Sequence, residues 1–155
     1  MPEELLPRDA QGRALPHDHP GIDGNCRLIR RISAEWIVLD RSTGRQRLSS
    51  ACLSPSTPSA DIYCGLSVDI EAFILAAGIE PAAHVTTPKH MASIAIKAHA
   101  FRSRGFLAGH DPSPGNPFHG CVWQVEGRSK LTAGIQKQLL REAEWLVEAG
   151  GASII

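Results

Sequence analysis

The sequence predicts a small α+β domain, a mixed or antiparallel sheet with a long C-terminal helix packed across it. Three observations carry this. Short apolar runs with a period of two alternate with runs of helical period. Glycine, proline and serine clusters separate them at close intervals. The final third ends in a 3.6-residue stripe over residues 130–148. The chain of 155 residues suits one domain, and 43% hydrophobic content is enough for a core.

Residues 1–25 hold Pro2, Pro7, Pro16 and Pro20 with Gly12, Gly21 and Gly24 and show no periodicity, so a flexible or irregular leader is expected, followed by one domain over 26–150. Cys26 to Ile32 is the first strand, with Leu28, Arg30 and Ile32 on one side. Glu35 to Leu39 is a second apolar run, Asp40 to Gly44 a turn, and Arg47 to Leu53 the next strand. Ser54 to Cys64, with Pro55 and Pro58 among serines, is a loop.

Ser67 has the chemistry of a helix N-cap, with Asp69 and Glu71 in the first turn, where the helix dipole favours anions. Ile70, Phe73, Ile74 and Ala77 form the stripe of that helix, and Gly78 stops it. Met91 to Ile96 reads equally as strand or helix; Ala98 to Arg104 reads as helix and Phe106 to Ala108 as a short strand. His110 to Pro117 is a turn stiffened by three prolines, leading into a strand over Gly120 to Val125. Lys130 to Glu148 carries Leu131, Ile135, Leu139, Ala143 and Leu146 on one stripe. Glu144 and Glu148 oppose the dipole there, so packing has to hold this helix.

Lys+Arg and Asp+Glu number 16 each. A net charge of zero argues against nucleic-acid binding through phosphate neutralisation and against a polybasic membrane anchor. No apolar run reaches the roughly 20 residues that span a bilayer, so no membrane is expected. Cys26, Cys52, Cys64 and Cys121 lie far apart without a CxxC pair, which fits reduced thiols in a cytoplasm. His17, Asp18 and His19 with Cys26 match no strong zinc spacing, so no metal is assigned.

The site candidates come from residue chemistry. His119 enters a strand from a proline-stiffened loop, a good position for an acid, base or ligand contact. Arg30 and Arg31 can hold an anion. Ser49 and Ser50 either bond a neighbouring backbone or join Arg30, Arg31 and His119 at one sheet end around a small anionic ligand. Gln124 and Glu126 are two apart on one strand face, as solvent-facing residues of a half-buried strand would be.

The order of Arg30 or Arg31, Ser49-Ser50, and Gln124 with Glu126 resembles the arginine-serine-glutamate class of ADP-ribosyltransferases. That resemblance implies an arginine for dinucleotide phosphates, hydroxyls around a nicotinamide, and Glu126 as the catalytic carboxylate. Ser49-Ser50-Ala51 departs from the Ser-x-Ser of that class. Arg30-Arg31-Ile32 with Glu35-Trp36, Leu48 to Ala51, Leu66 to Asp69, and His119 before Gly127 also resemble a group of short bacterial proteins of uncharacterised activity, over about residues 27–147. Leu53 departs from the aromatic of that group. This resemblance implies a bacterial, cytoplasmic protein. With balanced charge and no strong catalytic motif, the expected function is a non-catalytic interaction or accessory module. Trp36 and Trp145 would contact a protein partner or a second copy. The alternative is a nucleotide-dependent enzyme or toxin using Arg31, Ser50, His119 and Glu126. No cofactor is named by any of these residues.

Overall fold

A computed structural model describes residues 1–55 and 61–154. Residues 56–60 of the expected loop, Pro58 included, lie outside the described residues. Among the described residues eight strands form: β1 (Arg27–Ile32), β2 (Ile37–Asp40), β3 (Arg45–Leu48), β4 (Gly65–Ile70), β5 (Ala92–Lys97), β6 (Leu107–His110), β7 (His119–Trp123) and β8 (Glu144–Val147). Four short α-helices among the described residues join them: α1 (Glu71–Ala76), α2 (Pro81–Val85), α3 (Ala98–Arg102) and α4 (Ala133–Arg141). Six strands make one sheet in the order β6-β7-β4-β1-β5-β8, with every pair antiparallel. β2 and β3 form a separate hairpin around the Asp40–Gly44 turn, where Gly44 at φ 70° takes the left-handed conformation.

Alternation along the strands builds two cores. Leu28 and Ile32 of β1, Leu66, Val68 and Ile70 of β4, Ile94 and Ile96 of β5 and Val122 of β7 belong to the larger one. Cys52 and Leu53, Phe101 of α3, and Leu139 and Leu140 of α4 also belong to it. On the opposite face Ile29 and Ala95 pack against Ile74 of α1 and Val85 of α2.

The long C-terminal helix does not form. Thr132 caps α4, its hydroxyl accepting from the Ile135 N–H at 3.3 Å, and the helix ends at Glu142 after 9 residues. Glu144 to Val147 then pairs with β5 as an edge strand. A Glu-Trp-Leu-Val run fits a pleated, half-buried surface as well as a helix stripe, and an open sheet edge decides between them. Ser67 does not cap a helix either. Leu66, Val68 and Ile70 share one face of β4, and the helix begins only at Glu71. The strand expected over Arg47 to Leu53 stops at Leu48, and Ser50–Leu53 turns as a 3-10 helix. Residues 1–25 lack regular strands yet lie against the body, with Leu6, Ala14, His19 and Ile22 buried.

Candidate functional site

The sheet forks between β1 and β4. Leu28 pairs with Ile70 and Ile29 with Asp69, and there the ladder between these two strands ends. Arg30, Arg31 and Ile32 remain paired with β5, while Gly65 to Val68 remain paired with β7. Arg30 fills part of the gap. Its Nη1 donates to the Ser67 carbonyl at 2.8 Å and its Nε to the Cys52 carbonyl at 2.9 Å. Its guanidinium carbon lies 5.2 Å from the centre of the Trp36 ring. Burial works against its charge and lowers its pKa.

A cavity of about 360 Å³ opens in this fork, lined by Arg30, Arg31, Trp36, Ser67, Asp69, His90, Asn116 and His119 among others. The second arginine is held by a carboxylate. Arg31 Nε donates to Asp69 Oδ2 at 2.9 Å and Nη2 to Oδ1 at 3.1 Å, a two-point pair that fixes the guanidinium plane. Asp69 is buried and also accepts from Asn116 Nδ2 at 2.8 Å. Asn116 Oδ1 in turn faces His84 Nε2 at 3.0 Å and accepts from the Phe118 N–H at 3.3 Å. One chain of bonds thus ties β1, β4, α2 and the loop before β7.

His119 pairs with Asp69 across β4 and β7, so both side chains share a face. Its Nδ1 donates to the Asp111 carbonyl at 2.7 Å, with the Asp111 carboxylate at 3.5 Å. That bond fixes the tautomer and leaves Nε2 for the cavity. Burial pulls the His119 pKa down, but the Asp111 carboxylate and carbonyl outweigh it, and the net shift is upward. His90, held in the turn where the Thr87 and His90 backbones bond each other, shifts the other way. Burial comes first, followed by the positive field of Arg31, Lys89 and Arg30.

Of the residues singled out in the sequence, Arg30, Arg31 and His119 line one cavity. Ser49 and Ser50 do not. The Ser49 hydroxyl accepts from the Ala51 N–H at 3.2 Å and caps the 3-10 turn, the backbone role. Glu126 is exposed beyond the far end of β7 and lines a separate cavity of about 720 Å³, so it cannot work with His119. Gln124 accepts from the Leu131 N–H at 2.8 Å and braces the turn after β7. The Arg-Ser-Glu arrangement is therefore not assembled around one cavity. Trp36 and Trp145 are both half-buried and packed against the larger core. His17, Asp18 and His19 serve packing. His17 lies 5.2 Å from the Trp123 ring, Asp18 pairs with Arg102, and His19 lies against Phe73 and His110. Among the described residues no three His, Cys, Asp or Glu side chains converge to hold a metal. Burial pushes the Cys52 and Cys121 thiols up to about 12, which leaves them poor nucleophiles at neutral pH.

The residues missed in the sequence are Asp69, Asn116 and His90, which line the cavity, and His84, which contacts Asn116. Asp69 had a visible signal: one acid between Val68 and Ile70, in a segment whose alternation buries both neighbours. No family model matches this chain, and no curated protein or solved structure does either. Among the described residues no helix is long and apolar enough to cross a membrane.

Proposed function

We propose that the chain is a ligand-binding domain that holds a small anion, a phosphate or carboxylate group, in the fork between β1 and β4. One observation carries this reading. The cavity wall has two arginines and two histidines against a single carboxylate, Asp69, which is already engaged by Arg31. The arginines are held before any ligand arrives. Arg30 spends Nε and Nη1 on backbone carbonyls, and Arg31 spends Nε and Nη2 on Asp69. Each keeps a terminal nitrogen, Nη2 of Arg30 and Nη1 of Arg31, without a hydrogen bond among the described residues. Guanidinium groups fixed in this way lose little rotamer freedom on binding, which raises affinity. Such a domain fits an accessory or sensing role as well as a catalytic one.

The test is calorimetric titration with inorganic phosphate, acetate and, as a cationic control, ammonium at low ionic strength. The expected result is saturable anion binding that weakens at least about tenfold in Arg30→Met and falls with added salt. Binding that is absent, or that survives both Arg30→Met and His119→Gln unchanged, removes the reading.

A further inference from the structure

We infer that the fork cavity cleaves a small phosphodiester, of the kind found in a nucleoside cyclic phosphate, with His90 and His119 as base and acid on either side of the bound phosphoryl group. The inference rests on the anion-binding reading and extends it to chemistry. The two imidazoles come from separate elements, His90 from the turn before β5 and His119 from the start of β7, and both line the cavity. The Nδ1 bond of His119 to Asp111 leaves Nε2 to carry the transferable proton. Neither ring nitrogen of His90 has a hydrogen-bond partner among the described residues, so its lone pair is free to take a proton. The spare nitrogens of Arg30 and Arg31 would meet the non-bridging phosphoryl oxygens, whose charge grows in the transition state. A cavity of about 360 Å³ suits a mononucleotide-sized compound.

The step balances without a cofactor. Water attacks phosphorus and a P–O bond forms. His90 accepts the water proton, the ester P–O bond breaks, and His119 passes its Nε2 proton to the leaving oxygen. The product is a phosphomonoester with a free hydroxyl, and proton exchange with solvent resets both rings. The environments match these roles. Arg30, Arg31 and Lys89 face His90 and favour its neutral form, with Asp69 opposing, whereas Asp111 and Asp69 face His119 and favour its charged form.

The experiment uses the full chain with bis(p-nitrophenyl) phosphate and the nucleoside 2′,3′-cyclic phosphates, beside titration with inorganic phosphate. The expected result is turnover with a bell-shaped pH profile that falls on the order of 100-fold in both His90→Gln and His119→Gln. Each variant is checked for an unchanged thermal transition. A fold lost in one variant leaves the other, and the wild-type pH profile, to decide. Phosphate binding without turnover of any diester overturns the chemistry and leaves the binding site standing. Turnover unchanged in both variants overturns it as well. Absence of phosphate binding removes the site itself.

Discussion

Arg31 and Asp69 differ in burial, and that difference predicts which partner the fold can lose. The Asp69 side chain is 5% exposed and the Arg31 side chain 26%. Removing Arg31 as Arg31→Met leaves a carboxylate whose remaining side-chain hydrogen bond among the described residues is from Asn116 at 2.8 Å, with His84 at 3.7 Å. Breaking a buried pair in this direction costs about 3–5 kcal/mol, and the partial exposure of Arg31 places this case near the low end, about 3 kcal/mol. Asp69→Asn keeps an oxygen for one arginine N–H, and the arginine can turn toward water, so its cost is about 1–2 kcal/mol. In a domain of this size 1 kcal/mol moves the midpoint by about 2–4 °C, so Arg31→Met should melt roughly 10 °C lower and Asp69→Asn about half that. Urea titrations with unchanged slopes would confirm that both act on stability rather than compactness. The double variant Arg31→Met/Asp69→Leu should be more stable than Arg31→Met, because it removes the orphaned charge. If Asp69→Asn proves the more costly change, or if both cost under about 0.5 kcal/mol as an exposed pair would, the description of Asp69 as the buried anchor of the fork is wrong.

Three other outcomes follow from the structure. His19 is buried, and burial, followed by the nearby amino terminus, lowers its pKa below the ordinary histidine value. The unfolded chain then takes the proton first, so stability present above about pH 6.5 is lost as pH falls; the melting temperature should drop between neutral and mildly acidic pH, less steeply in His19→Phe. Gly109→Ala puts a Cβ 2.4 Å from the Trp123 ring and 2.6 Å from the His17 carbonyl, so it should cost about 3 kcal/mol and expose the first 20 or so residues to limited proteolysis. Ser49→Ala should cost about 0.5–1 kcal/mol through loss of the turn cap and Ser50→Ala less, with neither changing phosphate affinity in the calorimeter.

The legible parts of this fold were those where one period dominates. Cys26 to Ile32 and Gly120 to Val125 were read from alternating runs, and their strands, β1 and β7, stand at the centre of the sheet or beside it. Illegible parts were those where two local codes agree on different answers. Leu66 to Glu71 carries a capping serine and first-turn acids, which favour helix, and it also alternates Leu66, Val68 and Ile70, which favours strand. The sheet resolves the conflict, because β4 gains pairing with both β1 and β7 as a strand and would gain one packed face as a helix. The same holds for Glu144 to Val147, where Arg27 adds a bond from Nη1 to Glu144 at 2.8 Å that a helix would not place.

The site follows the same rule. Arg30, Arg31 and His119 were visible because their side chains are unusual for strand positions. Their convergence was not visible, since it depends on where the β1–β4 ladder stops. That stop is itself a consequence of the arginines: two consecutive guanidiniums, one on each face of β1, need partners on β4 and take the Ser67 carbonyl and the Asp69 carboxylate. Arg30 occupies with its side chain an acceptor that a continued ladder would give to a backbone N–H. The residues that form the cavity are therefore also the ones that hold the sheet open.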